Sequence, residues 1–220
     1  MGPGMNMQAP LFMVIWIDMM VVMMFPAAAP MILTFHRVQA RKRRQGQTFV
    51  STWVFVAAYL IVWTLFGALA LAAAAGIQML VKQSMVSMET TARLGGLVLV
   101  IAGVYQLTPL KRVCLTKCQT PVGFILSSWH DGVGGAFRMG LKHGAYCLGC
   151  CWLLFVILFP IGIMNVAAMA VITVLVFAEK SLKSGRTIGS IAGLALIGYG
   201  ILAVLVPAMM PTYIQSAPGM

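Results

Sequence analysis

Long apolar runs alternate with short, mostly basic gaps along the whole chain. A helix needs about 20 apolar residues to cross a bilayer, and several runs reach that length. The first covers 11–35 and is stopped by His36-Arg37 and by Arg41-Lys42-Arg43-Arg44. The second, 49–75, lies in the charge-free stretch from Gly46 to Val81, and a short linker with Lys82, Glu89 and Arg93 follows. The third is 94–110. Residues 111–143 then form a Gly-rich basic segment expected on the cytoplasmic side, holding Lys111, Arg112, Lys117, His130, Asp131, Arg138 and Lys142. Gly144 to Ala178 is again free of charge, Glu179-Lys180 to Arg186 forms a basic turn, and the last run is 187–207.

The 35 residues from Gly144 to Ala178 would make one helix of about 50 Å, against a hydrocarbon core of about 30 Å. Phe159-Pro160-Ile161-Gly162 is a natural break, because proline removes a helix donor and glycine accepts turn angles. Two spans, 140–159 and 161–179, are therefore expected. Charge agrees. With the N-terminus outside, two crossings keep the 180–186 turn inside with the other basic clusters, whereas one crossing puts it outside against the positive-inside rule. The prediction is an all-α, polytopic membrane bundle of six transmembrane helices in a single domain, with both termini outside.

Composition narrows the class. The chain of 220 residues is 61% hydrophobic and 9% charged, with a mean hydropathy of +0.96. Soluble proteins are about 45–50% apolar and about 25% charged, so a cytosolic domain, a disordered tail and a secreted disulfide scaffold are excluded. The net charge of +11 sits in loops. It marks contact with anionic lipid rather than with nucleic acid, for which no long basic face exists. The first 35 residues carry only Asp18 and no basic leader, so the first run is expected to remain as a membrane span.

The five cysteines, Cys114, Cys118, Cys147, Cys150 and Cys151, fall within 38 residues. Cys114 and Cys118 are four apart, and His143, Cys147 and Cys150 follow at i, i+4, i+7, so each set shares a helix face, with Cys151 beside the second. Thiolates with imidazole select soft or borderline metals. Cu(I) is favoured, since two or three sulfurs satisfy it; Zn(II) is the alternative and would take Cys114, Cys118, Cys147 and Cys150 as a tetrahedron. Lys111, Arg112, Lys117 and Lys142 are expected to lower the thiol pKa values. Cys147-Leu148-Gly149-Cys150 also has the spacing of a dithiol redox centre.

Among 18 methionines, Met19, Met20, Met23 and Met24 form i, i+4 pairs in the first span, with Met13 and Met31 flanking. Thioethers fill gaps in helix packing and also bind Cu(I), so these four are secondary soft-metal candidates. Met164, Met209 and Met210 are too scattered to assign. Asp18 is the one acid inside a span and is expected to face a bundle interior or polar cavity. Tyr105 and Gln106 are further polar groups in apolar surroundings; Thr108 and Asn165 are expected to hydrogen-bond between helices. Pro26 and Pro30 are expected to break or kink the end of the first span. No GxSxG, Walker loop or carboxylate pair is present, so no catalytic residue is assigned and an enzyme is disfavoured.

Several ordered strings carry a family resemblance. They are Trp16 with Met19, Met23-Met24-x-Pro26-x-x-x-Pro30-Met31, and Gly103-x-Tyr105-Gln106-Leu107-Thr108-Pro109-Leu110-Lys111. Cys114-x-x-x-Cys118-x-x-Pro121-x-Gly123-Phe124 and Gly140-x-x-His143-Gly144-x-x-Cys147-x-Gly149-Cys150-Cys151-Trp152 follow, then Gly162-x-Met164-Asn165 and Glu179-Lys180. Over nearly its whole length the chain resembles a prokaryotic family of uncharacterised function described as predicted metal-binding integral membrane proteins. The resemblance implies a prokaryotic inner membrane location and one functional unit containing the cysteines, His143 and the Tyr105–Lys111 string.

Three functions compete. The first is soft-metal handling, in transport, relay or metalloenzyme assembly, by exchange of sulfur ligands. The second is a membrane thiol-disulfide oxidoreductase pairing Cys147/Cys150 with Cys114/Cys118. The third is a non-catalytic subunit of a larger membrane complex, with another membrane protein or a second copy as partner.

Overall fold

The structure, a computed structural model, describes residues 9–83, 87–162 and 165–209. Among these, every regular element is helical. The order is α1 (Ala9–Arg44), α2 (Thr52–Gln83), α3 (Met88–Leu107), α4 (Pro109–Gln119), α5 (Pro121–Ser128), α6 (Gly132–Val156), α7 (Leu158–Ile161), α8 (Val166–Ser181) and α9 (Gly185–Leu205), with a 3-10 turn at Pro207–Met209. Met164 and Met210 lie outside the described residues.

Five stretches are long and apolar enough to cross a membrane: Pro10–Arg44, Thr52–Ile77, Glu89–Leu107, Gly132–Ile161 and Gly185–Leu205. The expected count of six is therefore not reached on length. The chain does turn at Gly162, which adopts φ 114, but the returning helix α8 has only 16 residues. That is about 24 Å of helix against a hydrocarbon core of about 30 Å.

Local chemistry explains the helix limits. Ser87 caps α3 by accepting from Thr90 N at 3.2 Å. Thr108 ends α3 and caps α4, accepting from Lys111 N at 3.4 Å, with Pro109 at the first helical turn, where its missing donor costs nothing. Asn165 caps α8 through Ala168 N at 3.0 Å. Thr108 and Asn165 are thus caps rather than links between helices. The Gly-rich segment 111–143 is mostly helical too, because Thr108-Pro109 and Thr120-Pro121 restart the helix twice. Pro26 and Pro30 lie inside α1, which continues unbroken past both to Arg44; neighbouring helices support such interruptions in membrane bundles.

Two close helix pairs organise the bundle. α3 and α9 pack through glycines: a Cβ at Gly103 would stand 2.6 Å from the Gly193 carbonyl oxygen, and one at Gly96 2.9 Å from that of Gly200. α2 and α6 are as intimate, since Gly140 lies against the Phe55 backbone. α1 joins α2 through a 3.1 Å bond from Trp16 Nε1 to the Trp63 carbonyl. Its far end is tied to the start of α6 by Lys42 and Asp131, with Trp129 Nε1 donating to the same carboxylate at 3.1 Å; these two partners hold the Asp131 carboxyl below its usual range.

The main core runs through Trp16, Met19, Met20, Met23, Met24, Tyr59, Trp63 and all five cysteines. A second core of Met31, Phe35, Phe55, Phe124 and Met139 closes one end. Large apolar side chains such as Trp53, Leu65, Leu69 and Val171 stand outward, as lipid-facing residues do.

Candidate metal centre

The sulfurs of α4 and α6 meet because Gly149 leaves room for them. A Cβ at Gly149 would lie 2.9 Å from Cys114 Sγ, and Tyr105 Oη, from α3, donates to the Gly149 carbonyl beside it. One turn on, the Cys118 thiol faces Cys150. The i, i+4 and i, i+3 phasing on the two helices carries the side chains into this seam. All five cysteines are buried free thiols.

Within α6, Cys150 Sγ and Cys151 Sγ donate to the Cys147 carbonyl at 3.1 and 2.8 Å. Cys147 Sγ is held from two other helices. Lys180 Nζ of α8 donates to it at 3.0 Å, and Tyr59 Oη of α2 lies 3.2 Å away. Met24 Sδ of α1 is 4.0 Å from Cys151 Sγ. With Tyr105 of α3, six helices therefore contribute to one sulfur-lined seam.

His143 completes it. Its ring lies between Phe55 and Tyr59, with centroids 5.8 and 5.6 Å away, and meets the edge of Phe124 at 5.7 Å. It is 2% exposed, and neither ring nitrogen has a hydrogen-bond partner. A buried polar group without a partner is costly, and a coordinated metal is one group that would satisfy such a nitrogen. Among the described residues no three His, Cys, Asp or Glu side chains are gathered around one point as ligands. What the seam presents is soft sulfur donors from two helices, with a thioether beside them.

The PpoB2 family, described as copper chaperone, matches residues 13–203. The chain belongs to this family. No curated protein and no solved structure matches it. Membership of PpoB2 gives the chain a copper-related function. It also places the family resemblance seen in the sequence on a metal-related footing, with the copper-chaperone description in place of the broader metal-binding one.

Several expectations for this PpoB2 member change at side-chain level. Lys111 bonds to no thiol directly: it is buried in an ion pair with Glu179, at 2.8 and 2.7 Å. Lys142 bonds to Ser128 Oγ, and Arg112 and Lys117 are exposed. The Cys114 thiol is accordingly pushed up, by burial first and then by Cys150. Cys118 is pushed well up by Cys150 and by burial. The cation that reaches sulfur is Lys180, which sequence reasoning left in a turn. Asp18 faces outward between exposed Val14 and Val22, not into a cavity, because the inward face of α1 at that level is taken by Trp16, Met19 and Met20. Gln106 is buried and neither of its amide atoms has a partner. The roles of Tyr59 and Lys180 and the pairing of Lys111 with Glu179 were missed. The signal for Glu179 and Lys180 was present: Ile172, Val176, Glu179 and Lys180 share one helical face, which continues an apolar stripe into charge.

Proposed function

We propose that this protein is a membrane copper chaperone that holds Cu(I) as cargo on the α4/α6 sulfurs, Cys114, Cys118, Cys147, Cys150 and Cys151, with His143 as a further ligand. The observation that carries the reading is the convergence of Cys118 with Cys150 and of Lys180 with Cys147 in one buried seam. Charge supports copper over zinc. Cu(I) on two thiolates has a net charge of −1, which the single Lys180 ammonium offsets; a buried uncompensated charge would be costly. Zn(II) would call for four ligands around one point. Release proceeds by exchange of sulfur ligands, with copper remaining Cu(I), so the protein acts as a carrier rather than an enzyme.

The setting is a prokaryotic inner membrane, with six crossings and the N-terminus outside. The exposed apolar faces support lipid contact. The outward Asp18 carboxylate, set among apolar side chains, supports a protein neighbour there, either a membrane partner or a second copy.

Copper content tests the function. The detergent-purified full chain, loaded with Cu(I) and desalted, is expected to retain about one copper per chain, and a variant with Cys114, Cys118, Cys147 and Cys150 all changed to Ser to retain about a tenth of that or less. Equal copper in the two proteins would overturn the reading. Preferential retention of Zn(II) by the wild type would replace copper with zinc.

A further inference from the structure

The helices α1 and α6 run antiparallel, and ring and sulfur contacts fix their register. Trp16 meets Phe155 at 6.5 Å between centroids, and Met24 meets Cys151 at 4.0 Å. His143, two turns before Cys151 on α6, belongs with the Phe55 and Phe124 rings. Soft ligands therefore follow one another along the interior in a fixed order: Met19 and Met20 nearest the Trp16 end, then Met23 and Met24, then Cys151, then Cys147 and Cys150, then His143. The four methionines are between 0% and 6% exposed, so the stripe points wholly into the core.

Beyond His143 the interior holds Phe35, Phe55 and Phe124 together with the buried Met31 and Met139, and on the other side Met24 brings a thioether against a thiol. Beyond Met24 the next inward-facing groups along α1 are again thioethers. A buried methionine can be a mere gap-filler, but gap-filling does not call for a thioether within contact of a thiol.

We infer that Met20 and Met24 form a thioether relay through which Cu(I) passes between the Trp16 end of the bundle and the cysteine seam, with Cys151 as the sulfur that exchanges with Met24. The inference rests on the copper reading above and adds the route. In the inward step a Cu–S bond to Cys151 forms as the bond to Met24 Sδ breaks. Copper stays Cu(I), and the proton displaced from the Cys151 thiol goes to buffer base. Neutral thioethers bind Cu(I) less strongly than thiolates do, so they suit transient stations and the cysteines the resting site.

The test is loading kinetics of the full chain, using Cu(I) delivered from its acetonitrile complex and followed by the ultraviolet copper–thiolate charge-transfer band. Leucine conserves methionine's volume and removes only the sulfur. The Met20→Leu/Met24→Leu variant is expected to reach the same copper content as wild type but to load at least about tenfold more slowly. Met139→Leu, a buried methionine beyond His143, is expected to load at the wild-type rate. A double variant that loads as fast as wild type would overturn the relay, as would equal slowing by Met139→Leu. A wild-type chain that takes up no copper would remove the copper reading itself, a result distinct from either.

Discussion

Lys111 and Glu179 are 2% and 1% exposed and bond to each other through both carboxylate oxygens. Such a pair contributes modestly when whole, but half of it leaves an uncompensated buried charge. Lys111→Met alone is expected to destabilise the fold by about 3–5 kcal/mol, and Lys111→Met/Glu179→Leu to recover most of that loss. Thermal unfolding of the detergent-solubilised variants measures both; a double variant no better than the single would show that the pair's role is not electrostatic. The pair also explains which parts of the site were legible at this scale. Cysteine phasing is a property of one helix at a time, so the sulfurs of α4 and of α6 could be read from spacing. The partners of Cys147 come from α2 and α8, 88 and 33 residues away in sequence. No local pattern links Tyr59 or Lys180 to that sulfur, and local basic residues were assigned the role instead.

Helix elements were largely legible, since apolar length and polar interruption are what a bilayer selects. What the pattern hid was short structure. α4 and α5 are too short to announce themselves by hydropathy, and their starts are set by the Thr108 cap with Pro109 and by Pro121 in the first turn of α5. Packing partners were also hidden, because a glycine in an apolar run looks the same whether it faces lipid or another backbone. In the α3/α9 pair Gly96 and Gly103 lie seven residues apart, as do Gly193 and Gly200, and each side chain's absence lets a carbonyl approach. Membrane helices associate through such small residues because lipid gives them no hydrophobic drive. Gly103→Leu is therefore expected to force α3 from α9 and to destabilise the bundle by about 2 kcal/mol or more. Gly76→Leu, on a stretch of α2 where a Cβ would meet nothing within 4 Å, is expected to be near neutral. Similar melting temperatures for the two variants would show that α3/α9 contact does not depend on backbone approach.

At the scale of the whole molecule, the contacts of the basic turns bear on how often the chain crosses. Lys42 at the end of α1 bonds to Asp131 at the start of α6. Arg186 at the start of α9 bonds to Thr116 of α4 at 3.0 Å, and Gln119 of α4 reaches the Glu179 carbonyl at 2.6 Å. If α6 leaves that end at Gly132 and α8 returns to it at Ser181, the segment 132–181 crosses twice despite the shortness of α8. A helix of about 24 Å can do so where the bilayer thins locally or flanking groups reach the interface, at a cost of fractions of a kcal/mol per Å of mismatch. The positive-inside rule then predicts that the Arg41–Arg44 cluster and the 182–186 turn share the cytoplasmic side. Single added cysteines test this, because the native thiols are buried. With a membrane-impermeant maleimide, Gln45→Cys and Lys183→Cys are expected to label only after the cells are permeabilised, whereas Ser87→Cys labels in intact cells. Labelling of Lys183→Cys in intact cells would mean that 132–181 crosses once. The two basic turns would then lie on opposite faces, and the Arg186–Thr116 contact would have to be reached through the bilayer.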